Sequence, residues 1–177
     1  MLFRSALSAL IGSAVAPTDD GRLYIVDLLH DIVGLDRQDV AANAVPVHVP
    51  DSGVTLRVMH PLDVLQSRNA NLHLLPEKQD EAGQLQLRLA IEVARAFLEE
   101  RMESAQWDDI ADFVHTVGQY AREDAARKNA ERYSVHLADA IPAWLIDLDV
   151  FWEKQWPHLR QRMSRQHAER CEDLRRA

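Results

Sequence analysis

One carboxylate stands where an ionisable group is costly. Asp27 lies inside RLYIVDLL with apolar residues on both sides. Burying it requires a cation, a set of donors or a metal ion to offset its desolvation. Asp27 is therefore the leading candidate for a catalytic or metal-ligating role, and the ordinary alternative is a cap on the loop after the strand. His60 opens HPLD, with Pro61 and Asp63 in the same turn, and either presents an imidazole to a cleft or caps and packs. Lys78 lies in LLPEKQDEAG, a polar loop just before a long apolar-periodic segment. An ammonium there can meet a phosphate at the following helix N-terminus. Arg68, Asn69 and Asn71 form a polar set that either supports the same region or fixes the packing of its helix. Asp147 and Asp149 read as charges at a helix N-terminus.

Several chemistries are excluded by pattern. The eight histidines include no H-E-x-x-H pair, and the only cysteine, Cys171, supports neither an intramolecular disulfide nor a thiolate zinc cluster. No G-x-S-x-G elbow, phosphate loop or dinucleotide fingerprint occurs. A net charge of −8 argues against a surface that coats nucleic acid as a whole. Charge is uneven, however. From residue 158 onward, Arg160, Arg162, Arg165, Arg170, Arg175 and Arg176 stand against Glu169, Glu172 and Asp173. That tail is either a solvated face with internal ion pairs or an RNA-binding arm.

The elements that would position these residues follow from periodicity. A chain of 177 residues, 47% hydrophobic and 27% charged, has the material for one substantial core and is too apolar for a disordered segment. Residues 6–16 match a signal peptide poorly and are too short and too polar to span a bilayer, so they are expected to form an amphipathic helix. PTDDG then makes a turn and residues 22–29 a buried strand. Residues 45–49 and 54–59, joined by Asp51-Ser52-Gly53, form a hairpin. Helical spacing begins at Pro61. A helix over 84–102 presents Leu87, Ile91, Ala94 and Leu98, broadened by Ala90, Val93 and Phe97, and another carries Trp107, Ile110, Ala111, Val114, Val117 and Ala121. Residues 122–131 are polar and end that pattern, helix resumes over 133–141, and the last helix, 149–176, breaks at Pro157. The fold class expected is α+β or α/β, with an α/β region over 1–80 and a helical region over 81–177. The lone cysteine points to a reducing, cytoplasmic setting, and no membrane association is expected.

Taken together, IVDLLHDIVGLDRQDVAANAVPVHVPDSGVTLRVMHPLDVLQSRNANLHLLPEKQDEAGQLQLRLAI and the closing FWEKQWPHLR resemble nucleotidyltransferase-like proteins related to abortive-infection toxins of the AbiEii type. The likeness is one of overall pattern from about Arg22 onward. It implies a short mixed sheet of the nucleotidyltransferase type, Mg²⁺ and a nucleoside triphosphate as cofactors, and transfer of a nucleotidyl group to an RNA or protein acceptor. An antitoxin protein is the implied partner. By the same resemblance Asp27 matches the third carboxylate, a catalytic metal ligand, and Lys78 contacts nucleotide phosphate.

In that fold a G-S or G-G turn precedes a D-x-D or D-x-E pair on one strand. Gly12-Ser13 and Asp19-Asp20 are a degenerate version of this pattern, but adjacent strand residues point to opposite faces and do not converge on a metal. The strand bearing the metal pair is expected upstream of Met1 in the full-length relatives, or to have been lost, leaving a truncated or inactive form. One carboxylate does not hold two metals. The alternative reading is a non-catalytic helical module in which Trp144, Trp152 and Trp156, beside the basic tail, bind a protein partner or RNA. Tryptophans at such spacing also serve as core.

Overall fold

The computed structural model describes residues 10–17, 23–29, 32–104 and 107–176. These form a mostly helical α+β protein. Strand β1 (Leu10–Pro17) pairs antiparallel with β2 (Leu23–Leu29), with Val15 opposite Ile25 and Ser13 opposite Asp27. The expected amphipathic helix is thus replaced, from Leu10 on, by a strand. Gly12 and Ser13 are poor helix formers, and the ladder with the β-rich run of β2 satisfies their backbone groups instead. The PTDDG turn after Pro17, with Asp19 and Asp20, lies outside the described residues.

Helix α1 (Arg37–Asn43) starts at Asp36, whose carboxylate accepts from the Gln38 and Asp39 amides at 2.7 and 3.3 Å. Before it, Gly34 turns at φ +82°, and a Cβ there would come within 2.5 Å of the Ala70 Cβ in the helix over residues 61–74. Glycine is required for both reasons. Strands β3 (Val45–His48) and β4 (Thr55–Val58) form the expected hairpin, with Val47 opposite Leu56. Its four-residue strands are largely exposed, and the Arg57 guanidinium ties it to α1 through the carbonyls of Ala41 and Ala44, at 3.1 and 3.2 Å. Among the described residues the strands make two separate two-stranded antiparallel sheets and not the one mixed sheet expected. Each strand pairs with its neighbour in sequence, and α1 lies between the two pairs along the chain.

The helical body holds the core. Helices α2 (Pro61–Leu74), α3 (Glu81–Ser104), α4 (Trp107–Tyr120) and α5 (Asp124–Tyr133) are followed by 3₁₀ turns at Leu137–Ala140 and Ala143–Leu145. A π-turn at Phe151–Gln155 leads into α6 (Trp156–Arg160), and α7 (Arg165–Arg176) closes the described chain. α2 packs on both α3 and α5. Leu65, Leu72, Leu87, Leu98, Val117, Leu137, Ile141 and Phe151 are fully enclosed, each leucine contributing roughly 1.5–3 kcal/mol of transfer free energy.

Four expectations are corrected here. Val93 does not broaden the buried face of α3; it is 53% exposed, in line with Leu89 and Leu85 one and two turns earlier. The polar stretch 122–131 is largely helix α5, held on its outer face by ion pairs from Arg127 to Asp124 and Glu131 and from Lys128 to Asp124. Residues 133–141 are not a helix: Ser134 takes a left-handed conformation (φ 53°) that ends α5, and the apolar run after it is buried as extended chain and a 3₁₀ turn. The final helix breaks at residues 161–164 and not at Pro157. Pro157 sits in the first turn of α6, where its missing N–H breaks no helical bond. Ser164 supplies the new start, accepting the His167 amide at 3.3 Å while its own amide is held by Asp139 at 2.8 Å.

Candidate functional site: a cationic groove between α4 and α6

The sequence-predicted residues are dispersed. Asp27 lies in β2 opposite Ser13, and its side chain lies outside the described residues. Lys78 ends a 3₁₀ turn (Pro76–Lys78) and is half-buried. The α3 N-terminus that follows is already capped: Asp80 accepts the Gly83 amide at 2.8 Å through its side chain and the Gln84 amide at 3.1 Å through its carbonyl. A phosphate brought there by Lys78 would meet that carboxylate. Among the described residues no three His, Cys, Asp or Glu side chains converge to hold a metal ion.

His60 caps and packs. Its Nδ1 accepts the Leu62 amide at 3.2 Å, and its ring meets Phe97 edge-on at 4.8 Å and stacks on Phe113 at 6.0 Å. Burial lowers its basicity, opposed by Asp63 and reinforced by Arg101. Asn69 is fully buried against Asn129, which settles its role as packing, while Arg68 reaches Gln86 at 3.4 Å. Asp149 pairs with Arg175 at 3.2 Å. Trp152 and Trp156 are core residues, their rings 4.7 Å apart. Trp144 is half-buried beneath Arg170.

A different set of residues is brought together. A groove of about 660 Å³ runs between α4 and the π-turn with α6. Its floor is apolar, from Ala111, Val114, Phe151 and Leu159, and its walls carry His115, Arg122, Lys154, His158 and Arg162 against a single carboxylate, Asp112. The groove is open at Gly118, where an added Cβ would meet nothing within 4 Å. Lys154 of the π-turn and Arg122, just past the end of α4, line the same groove. A second recess, about 700 Å³, adjoins the first and shares Arg122 and Arg162 with it. Apolar Ala121, Ala126 and Leu137 continue the floor there, with His136, Arg127 and Glu131 around them.

The cations differ in availability. Arg127 is bound by Asp124 and Glu131, and Arg162 donates to the His158 carbonyl at 2.6 Å. Arg122 and Lys154 have no ion-pair partner among the described residues. His115 lies 2.8 Å from Gln119. Much of the basic tail, by contrast, is neutralised internally: Arg160 pairs with Glu172, Arg165 with Glu169 and Arg176 with Asp173. The groove's unspent charge therefore comes from Arg122, Lys154 and Arg162, three segments apart in sequence. Nothing in their spacing marks them as a set. Chemically they offer donors to anionic oxygens above an apolar floor.

No helix among the described residues is long and apolar enough to cross a membrane. Comparison of the chain with protein-family models, with curated proteins and with solved structures finds no match.

Proposed function

We propose that the chain is a non-catalytic binding module whose groove between α4 and α6 receives an acidic, amphipathic segment of a protein partner. The observation that carries this reading is the pairing of an apolar floor with unspent cations on the walls, in a protein of net charge −8. An amphipathic helix lays its apolar face into such a groove, and carboxylates flanking that face meet the rim cations. Single-stranded RNA is the weaker fit. Proteins that bind it offer exposed aromatic rings on which bases stack, whereas Phe151 in this floor is fully buried. An antitoxin-like protein presenting such a segment belongs to the proposed partner class, in the reducing cytoplasm where Cys171 stays a thiol.

The test uses two labelled probes read by fluorescence anisotropy: a peptide of Glu and Leu at helical spacing, and oligouridylate. The expected result is saturable peptide binding that weakens with salt and falls about tenfold in Lys154→Glu and in Arg122→Glu. Preferential binding of oligouridylate transfers the groove to RNA. No binding of either overturns the reading.

A second reading, nucleotidyl transfer in which Asp27 ligates Mg²⁺ and Lys78 contacts the nucleotide, is favoured by the sequence resemblance and by the place of Asp27 within a strand. Calorimetric titration of Mg²⁺ and ATP into the chain tests it. Metal-dependent binding lost in Asp27→Asn supports it, and no binding removes it.

A further inference from the structure

A separate cavity of about 420 Å³ opens between α3, residues 134–139 and the first turns of α7. Three guanidinium groups line it, Arg88 and Arg95 from α3 and Arg170 from α7. Each is positioned with donors to spare. Arg88 gives one N–H to the Tyr133 carbonyl at 3.1 Å. Arg170 lies over the Trp144 ring, 4.8 Å from its centroid, and a stacked guanidinium keeps its in-plane fork of N–H donors open. Arg95 is the anchor, 9% exposed, bonded to Glu92 and placed 3.1 Å from His167 Nδ1.

The histidine is itself fixed. His167 Nε2 lies 3.0 Å from the Ile141 carbonyl, so the ring proton resides on Nε2 and Nδ1 accepts from Arg95. Burial lowers the basicity of this imidazole. The Ile141 carbonyl and Asp139 oppose that shift, and Arg95 and Arg170 reinforce it. His167 is thus a neutral positioning residue. Two carboxylates also line the cavity, and both are engaged: Glu92 on Arg95, and Asp139 through one oxygen on the Ser164 amide. The start of α7 is thereby occupied and does not supply the site. The cavity keeps a positive balance of three guanidiniums over two carboxylates.

We propose that this cavity binds a phosphate group, either as the free ion or as a small monoester. Guanidinium forks from two helices suit a tetrahedral anion, whose oxygens accept from several directions, better than a planar carboxylate. The site is distinct from the α4–α6 groove and stands or falls independently of it.

The experiment follows the arginine Nε–H resonances by NMR while inorganic phosphate, and separately methyl phosphate, is titrated in at constant ionic strength. Saturable shifts of Arg88, Arg95 and Arg170 with one common Kd are expected, weakened about tenfold or more in Arg170→Gln and in Arg88→Gln and unchanged in Arg176→Gln. The two ligands distinguish the sources: equal affinity means that the phosphate head is recognised, and a free ion that binds while the ester does not restricts the site to inorganic phosphate. Shifts that rise without saturation, or that survive both substitutions, overturn the proposal.

Discussion

The side-chain amide of Asn129 lies 3.0 Å from the backbone carbonyl of Asn69 and 2.9 Å from its side-chain oxygen. Both residues are sealed from solvent, at 1% and 0% exposure. This is how α5, whose buried residues are only Ala126 and Asn129, is fastened to α2. Replacing Asn129 with Ala leaves the Asn69 side-chain oxygen buried without its donor, at a cost of about 1–3 kcal/mol. Urea unfolding of Asn129→Ala should show that loss, and an unchanged midpoint would mean that α5 is held chiefly by its neighbours in the chain.

Tyr133, at the end of the same helix, has a buried hydroxyl with no hydrogen-bond partner among the described residues. Removing a buried polar atom that makes no bond relieves its desolvation. Tyr133→Phe is therefore expected to leave stability unchanged or raise it by up to about 1 kcal/mol. A loss of that size would reveal a bound water on the hydroxyl.

Acid should weaken the fold through two histidines. His167 and His60 both have basicities lowered in the folded state from 6.5, chiefly by burial. A group lowered in this way is neutral in both states well above pH 6.5, where its contribution is fully present. As the pH falls through that value the unfolded chain takes up the proton first, and stability drops until the folded-state value is reached. Protonated His167 would also turn an N–H toward the Arg95 donor. Urea midpoints measured from about pH 7.5 down to about pH 5.5 should fall, and fall less in His167→Gln. A flat profile would falsify the assignment of His167 as the neutral acceptor of Arg95.

Gly83 lies in the first turn of α3, where alanine is normally the better helix former by up to about 1 kcal/mol. Here a Cβ would fall inside the contact radius of the Lys78 carbonyl oxygen. The loop and the helix start cannot both keep their places, so Gly83→Ala is expected to destabilise by about 1–3 kcal/mol. Thermal unfolding decides the sign, and a gain in Tm would show that the 76–80 loop yields freely.

The parts legible from sequence are those where one simple period operates. The hairpin over β3 and β4 announces itself by alternation around Asp51-Ser52-Gly53, and α3 by Leu87, Ile91, Ala94 and Leu98 on one stripe. α5 is invisible to that approach because its inward face is an alanine and a hydrogen-bonded asparagine. Residues 135–141 mislead in the opposite sense: Val135, Leu137, Ala138, Ala140 and Ile141 are all buried, so the run looks helical although a left-handed Ser134 has already ended the helix. The basic tail drew attention as a block, yet much of its charge is neutralised by carboxylates one helical turn away or in neighbouring segments. The groove cations Arg122, Lys154 and Arg162 come together only through folding.

The π-turn at Phe151–Gln155 sets a phase. The Trp156 amide bonds to the Phe151 carbonyl, five residues back, so this stretch holds one residue more than an α-helical turn would. Deleting that residue would rotate everything before it by roughly 100° relative to α6, since an α-helix makes 3.6 residues per turn. Lys154 would leave the wall of the groove, or Trp152 would leave the core. The length of this one turn therefore shapes the groove as much as any side chain in it.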